Sequence, residues 1–337
     1  MIMREKVPIS QLTTMRLGAE ARYLSEIETL ADLREALAFA KQHQLKSYII
    51  GSGSNIIGRD GGFNGLILLN KMRGDMQLHA DDGGYLLKVT SGHLLDDVVA
   101  FACEHGLSGL EAMSGIPGTI GAAPVQNAGA YGQDISQTLC ELEVYDLQTD
   151  QILCLQKSDC HFSYRKSIFN TGPKAGRYFI LSLTLRLSTK KLKPPFYTSL
   201  QAYLEQHHIN DYSPTQIRHA VLTLRQQKLP DLQHYASAGS FFKNIYVNDQ
   251  QAREAAQKSI PVWAGGKIPA GWLLEHAGLK GKDFYGFRVW DKAALILVNE
   301  SAHSYSQLAA ARAAINKIVQ AKYGFTLEQE PVEIGEL

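Results

Sequence analysis

Residues 114–132 read SGIPGTIGAAPVQNAGAYG, and this stretch decides how the rest of the chain is read. It is built from glycine, alanine, proline and small polar residues and carries no charged side chain. Such a segment packs its backbone closely against something flat or extended, and its N–H groups can approach an anion. A buried loop packed only against protein would have the same composition. A shorter stretch of the same kind lies upstream, Ile50-Gly51-Ser52-Gly53-Ser54-Asn55-Ile56, directly after the apolar run Tyr48-Ile49-Ile50. Its serines and Asn55 add side-chain donors. It is not the GxGxxG dinucleotide fingerprint, which needs a third glycine and a helix where this chain has Ile56-Ile57. Two such loops in one chain favour a large phosphate-bearing cofactor more than either loop does alone.

Outward from these loops the pattern is α+β rather than a regular βαβ alternation. Thr29 is placed to cap a helix whose apolar stripe is Leu33, Ala36, Leu37 and Ala40. Strands are expected at Tyr48–Ile50, Gly65–Asn70 and Tyr85–Thr90, and a helix over Leu94–His105. A β-hairpin is expected from Glu141–Asp146 and Gln151–Gln156 around Leu147-Gln148-Thr149-Asp150. In Tyr178–Ser188 the alternation puts Phe179, Leu181, Leu183, Leu185 and Leu187 on one face, the period of a half-buried strand. After the basic, proline-terminated run 190–195, Ser213 and Pro214 open a helix that stops near Pro230, where a domain boundary is expected. Further helices are expected over Asn248–Gln257 and Ser306–Tyr323, the last ended by Gly324.

The 337 residues suffice for two or three domains, and the formal charge of +1 does not point to nucleic acid or an anionic membrane. The four cysteines, Cys103, Cys140, Cys154 and Cys160, include no CxxC pair, so they read as buried reduced thiols. No HExxH or comparable spacing appears, so no metal is expected. The N-terminus lacks the apolar core of a signal peptide, and no stretch approaches the roughly twenty apolar residues of a membrane span, so the cytoplasm is expected.

Three further motifs carry chemistry. In His161-Phe162-Ser163-Tyr164-Arg165-Lys166-Ser167-Ile168-Phe169 an arginine lies among aromatics, whose stacking can orient a guanidinium toward a carboxylate or phosphate; a surface arginine at a strand end is the alternative. Ala238-Gly239-Ser240-Phe241-Phe242-Lys243-Asn244 sets a hydroxyl after glycine without the second glycine of a hydrolase GxSxG elbow. The acidic end, 327–335, reads LEQEPVEIG.

Taken in order, GSGSN, SGIPGTIGAAPVQNAGAYG, YRKSIF, AGSFFKN, AGWLLEHAGLKG and EQEPVEIG resemble the UDP-N-acetylmuramate dehydrogenase (UDP-N-acetylenolpyruvoylglucosamine reductase) family over almost the whole chain. Residues 195–200, PFYTSL, resemble the longer family type with a tyrosine loop. The resemblance implies a two-part FAD-binding domain of the vanillyl-alcohol-oxidase kind (1–70 and 71–224), an α+β substrate-binding domain (225–323) and a C-terminal return to the active site (324–337). It implies non-covalent FAD, NADPH as co-substrate, and a cytoplasmic monomer that makes a peptidoglycan precursor. It gives catalytic roles to Arg165, Ser240 and Glu330. The FAD contacts it implies are Gly51, Ser52, Gly53, Ser54, Asn55 and Ile56 in one loop, and Ser114, Ile116, Pro117, Gly118, Ile120, Gly121 and Ala122 in the other. Substrate contacts fall on Tyr164, Tyr197, Lys228 and Asn244. Glu330 is assigned by counting five positions back from Gly335, with Glu328 and Glu333 as neighbours. The chain departs from the family pattern at Ile245, Ala293 and Trp263. Two other readings stay open: a related FAD-dependent oxidase of another substrate, and a nucleotide-sugar-binding protein without catalysis.

Overall fold

The alternating apolar runs between residues 77 and 188 build a five-stranded antiparallel sheet, ordered Gln151–Gln156, Leu139–Asp146, Tyr178–Ser188, Gly84–Thr90, Gln77–Asp81. The computed structural model describes residues 2–336 and is α+β throughout. Tyr178–Ser188 lies at the centre of this sheet, and its first six residues are all buried. The expected single apolar face does not survive. A bulge shifts the register between Glu143/Ser182 and Val144/Ile180, which turns the strand over. Leu183, Leu185 and Leu187 therefore join Val98, Val99 and Ala102 of helix α2 (Leu95–Glu104), while Phe179 and Leu181 join Leu33, Ala36 and Ala40 of helix α1 (Leu30–Gln42).

Helix α1 starts where Thr29 predicts. Its hydroxyl accepts the Asp32 N–H at 3.1 Å, and the Asp32 carboxylate accepts the Thr29 N–H at 2.9 Å. Lys46–Ile50 pairs in parallel with residues 65–69. Two strands of the same sheet, Met3–Pro8 and Glu20–Ile27, escape sequence reading because their exposed positions carry charge. The helices α3 (Thr198–Gln206) and α6 (Ala270–His276) escape it because they are short and have no capping side chain to mark their start. Helices α4 (Pro214–Lys228), α5 (Asp249–Gln257) and α7 (Tyr305–Tyr323) lie where expected. At the start of α4 the Ser213 carbonyl accepts the Ile217 N–H, but the Ser213 hydroxyl donates to Asp211 instead of capping.

The chain divides into two compact units. One is formed by Tyr23–Ser52 and Gly65–Arg225 with the first few residues, the other by Lys6–Arg22, Gly53–Asn64 and the chain from Gln226 onward. The second unit's core mixes segments far apart in sequence. Met15, Leu17 and Ile57 pack with Phe241, Phe242, Leu273, Phe287, Leu308 and Ile315. Among the cysteines, Cys103 and Cys160 are buried as expected, and burial pushes both thiols up to about 12. Cys140 is half-buried and Cys154 exposed, because the latter lies on the outermost strand of the five-stranded sheet. No helix of the described residues is long and apolar enough to cross a membrane.

Asp146 closes the predicted hairpin. It is buried and takes Arg177 Nε at 2.8 Å and a second guanidinium nitrogen at 2.5 Å, with the Gln148 N–H at 3.0 Å. The hydrogen bonds from Arg177 outweigh desolvation and hold the carboxyl well below the usual carboxylate range. A depressed carboxylate stabilises the fold above its unfolded pKa, about 3.9, and that stability is lost as pH falls toward the folded value. Asp146→Asn should therefore lower the melting temperature at pH 7, and the gap to the parent should narrow in acid. Thermal melts across that range check this; a gap independent of pH would refute it.

Candidate active site

The two glycine-rich loops meet. A Cβ placed on Gly51 would lie 2.5 Å from Thr119 Oγ1 and 3.3 Å from Ala122 Cβ, so only glycine permits this approach. Thr119 belongs to the longer loop, and its hydroxyl is buried with no hydrogen-bond partner. The longer loop is strapped over the start of α2. Leu95 N–H donates to the Gly118 carbonyl at 2.9 Å, Ile120 N–H to His93 at 2.8 Å and Gly121 N–H to Ser91 at 2.9 Å. Gly121 is pressed against Ser91, where a Cβ would collide. Ser114 is fully buried and donates to the Glu111 carbonyl at 2.6 Å. Ile116 and Gly118 are half-buried, while Pro117 and Ala122 are exposed. Beside the loop, the half-buried Arg225 donates to the Gly115 carbonyl at 3.0 Å. Burial lowers its pKa, and among the described residues no carboxylate lies within ion-pair distance of it. A desolvated cation and an orphaned hydroxyl held by the same loop suit an anionic ligand.

Arg165 sits at the tip of a tight turn. Ser163 and Lys166 exchange both backbone hydrogen bonds, at 3.0 and 3.1 Å, leaving Tyr164 and Arg165 as the two loop residues. Arg165 takes the left-handed conformation, φ 57°, sparsely used by residues other than glycine. The turn is held by Asn170, whose amide donates to the Arg165 carbonyl at 3.0 Å and whose oxygen accepts the Ser167 N–H at 2.9 Å. The guanidinium lies over the Tyr164 ring, 5.1 Å from its centroid. Ser167 Oγ then donates to the Val125 carbonyl at 2.7 Å, which ties this turn to the 114–132 segment. Tyr197, 42% exposed, reaches the end of that segment and meets Tyr131 edge-on, centroids 5.8 Å apart.

In the second unit, Ser240 ends the strand Ala236–Ser240. Its pairing with Ile296–Asn299 is broken by a bulge between Ser237 and Ser240, where Gly239 takes φ 72°. A bulge with a left-handed glycine re-aims the side chain that follows, here the half-buried Ser240. Phe241 N–H donates to Leu295 at 2.8 Å, and the Phe241 carbonyl accepts the Glu330 N–H at 2.9 Å. Lys243 N–H donates to Glu328 at 2.8 Å. The segment 328–330 thus pairs with 241–243 and sets Glu330 opposite Phe241, the residue that follows Ser240. The three neighbouring glutamates are in different settings. Glu328 is 76% exposed and ion-pairs with Lys243, Glu333 is gripped by Arg59 and Arg312, and Glu330 is half-buried. Asn244 accepts the Ala270 N–H at 3.1 Å, which orients its carboxamide at the start of α6. Lys228 ends α4, its ammonium exposed and its carbonyl accepting the Trp290 indole N–H at 3.0 Å.

The segment Gly53–Ile56 also lies in the second unit. Gly53 is pressed against the Leu12 backbone and its carbonyl accepts the Thr14 N–H at 3.2 Å; the adjacent Thr13 hydroxyl is buried without a partner. Of the departures from the family pattern, Ile245 pairs with Ile268, Ala293 accepts the Ile296 N–H, and Trp263 is 45% exposed with the Lys267 ammonium 4.8 Å above its ring. Sequence reading missed Thr119, Arg225 and the Arg59–Glu333–Arg312 group. The first two carry no local signal, and Arg59 and Glu333 meet across 274 residues.

Residues 21–154 match the FAD binding domain family, and residues 231–334 match the family described as UDP-N-acetylenolpyruvoylglucosamine reductase, C-terminal domain. The UDP-N-acetylenolpyruvoylglucosamine reductase of Bdellovibrio bacteriovorus is 34% identical, covering 96% of this chain and 97% of its own. That of Ralstonia nicotianae is 36% identical, covering 97% and 98%. The crystal structure of the corresponding reductase from Thermus caldophilus shares the fold, with a TM-score of 0.68 at 24% identity over 99% of this chain and 100% of that one. An FAD-binding domain joined to this reductase's own C-terminal domain, with likeness to whole relatives from end to end, makes the chain a member of the UDP-N-acetylenolpyruvoylglucosamine reductase family of FAD-dependent oxidoreductases.

Proposed function

We propose that the chain reduces UDP-N-acetylglucosamine enolpyruvate to UDP-N-acetylmuramate, with NADPH as the source of electrons, in the cytoplasm and as a monomer that needs neither membrane nor nucleic acid. The observation that supports the site best is the hydrogen bond from Glu330 N–H to the Phe241 carbonyl, which fixes the backbone of Glu330 against the residue that follows the bulge-aimed Ser240. FAD supplies the hydride that reaches C3 of the enolpyruvyl group. The residues fit that cofactor: the Gly51–Thr119 approach leaves no room for a Cβ, and the orphaned Thr119 hydroxyl and desolvated Arg225 suit its diphosphate or another anionic part. Gly51 to Ile56 and Ser114 to Ala122 would hold it without a covalent bond, since neither loop contains histidine or cysteine. Residues 1–70 and 71–224 form the FAD-binding parts in this reading, 225–323 the substrate-binding part, and 324–337 the returning tail.

As C3 is reduced, charge builds at C2 and spreads into the substrate carboxylate. Arg165, oriented by Tyr164, faces that carboxylate with its fixed charge. A protonated Glu330 donates a hydrogen bond to the same developing charge. Donors arranged in advance in this way are each worth about 2.7–4 kcal/mol. Ser240 delivers the proton to C2; a hydroxyl is a weak acid, so position carries most of its effect. Tyr197, Lys228 and Asn244 hold the diphosphate and its neighbouring sugar.

Three outcomes test this. Ser240→Ala should keep fast flavin reduction by NADPH and slow the reduction of substrate by about 10²–10⁴-fold; equal slowing of both half-reactions in stopped flow would rule out the proton-donor role. Glu330→Gln, which still donates a hydrogen bond, should retain more activity than Glu330→Ala, and equal losses would exclude donation as its task. Gly51→Ala should fold but purify without the yellow of bound FAD, and a fully loaded variant would remove the cradle assignment.

A further inference from the structure

The tail that carries Glu330 is held by a side-chain clamp, and the geometry points to Glu333 as the positioning residue that sets Glu330 in place. This rests on the role given to Glu330 above. The tail makes two short backbone attachments. Upstream, Glu328 and Glu330 pair with Lys243 and Phe241. Downstream, Val332–Ile334 lies parallel to Ile56–Gly58, with Val332 N–H donating to Asn55 at 2.9 Å and Arg59 N–H to Ile334 at 2.9 Å. Glu330 and Pro331 form the change-over between them.

Backbone pairing alone does not hold so short a segment. Each hydrogen bond nets about 0.5–1.5 kcal/mol, whereas ordering each residue costs about 1–2 kcal/mol. Burial of Ile334 and Ile57, each worth roughly 1.5–3 kcal/mol, closes part of that gap, as do the hydrogen bonds of Glu336 to Gly61 and Gly62 and of Leu327 to Asn316. Around Glu330 itself the side-chain contacts converge on Glu333. One of its oxygens takes Arg59 Nε at 2.9 Å and a second Arg59 nitrogen at 2.5 Å. The other takes Arg312 at 2.7 Å and Gln329 Nε2 at 3.1 Å. Gln329 also accepts from Arg312 at 2.7 Å and donates to the Pro331 carbonyl at 2.8 Å. The Arg59 guanidinium lies 5.4 Å over the Tyr305 ring, and Arg312 reaches the Tyr305 hydroxyl at 3.3 Å. Desolvation raises the Glu333 pKa, but the two arginines outweigh it and keep the carboxylate charged.

Gln329 and Glu333 therefore bracket Glu330 from both sides and are tied to each other and to the carbonyl between them. The clamp thus fixes the backbone on both sides of Glu330, across the bend at Pro331. The device fixes where Glu330 stands without touching substrate itself.

The test is a double-mutant cycle read by half-reaction on the full-length holoenzyme. Glu333→Gln keeps the shape but weakens both arginine contacts. It should slow substrate reduction by about 10–100-fold, the scale of an ångström-sized misplacement, with flavin reduction by NADPH and the substrate KM little changed. In a Glu330→Ala background the same change should cost nothing further. Gln329→Ala, which removes the brace but no charge, should shift the same step in the same direction and covers the case in which Glu333→Gln fails to fold. Multiplying losses in the double variant, or equal slowing of both half-reactions, would overturn the positioning role while leaving Glu330's own intact. Full activity of Glu330→Ala alone would instead sink the role of Glu330, and the clamp's purpose with it.

Discussion

Val332–Ile334 lies parallel to Ile56–Gly58, and much of the second unit's organisation depends on that pairing. It draws the segment after the first glycine loop into a core otherwise built from residues beyond 226. It also carries the tail past Phe241, whose carbonyl accepts the Glu330 N–H. A three-residue ladder is weak by itself, and two arginines, a glutamine and a tyrosine gather around one carboxylate beside it. Polar side chains of this kind, kept partly out of water, add less to stability than to uniqueness of arrangement.

In the first unit the corresponding constraint is steric. Gly51, Thr119 and Ala122 approach so closely that the loop sequence is dictated by space. The same closeness strands a hydroxyl, and on the same loop Arg225 has, among the described residues, no carboxylate within ion-pair distance. Both features are costly in a protein that binds nothing and reasonable in one that surrounds an anionic cofactor. The Tyr164–Arg165 turn, tied through Ser167 to Val125, is mounted on the same segment. The glycine loop and the Arg165 turn thus share one support.

Much of this was legible in the sequence because local rules produced it. The Thr29 cap, the Asp146–Gln151 hairpin, helices α4, α5 and α7 and the left-handed Gly324 follow from propensity and period. The five-leucine-and-phenylalanine face of 178–188 did not, because a bulge one residue wide exchanges the faces of a strand and leaves no mark in its composition. Edge strands rich in charge, and short helices without a capping side chain such as α3 and α6, leave too little local signal to be read. At the site, Arg165 and Ser240 stood in motifs dense enough to find. Glu330 could be reached only by counting, and what separates it from Glu328 and Glu333 is the company each keeps, which is decided by residues far away in the chain. Thr119 and Arg225 become informative only through what they lack.

The 274-residue separation between Arg59 and Glu333 also sets an order of events during synthesis. Ile56–Gly58 leave the ribosome long before the strand they pair with. At about 5–20 residues per second the wait is roughly 15–55 s. Throughout it, Ile57 lacks part of the company that will bury it, and the second unit lacks its parallel strand. Both glycine loops, Arg165 and Ser240 are all made before Glu333 exists, so Arg59 waits as an unanswered charge until the clamp can close.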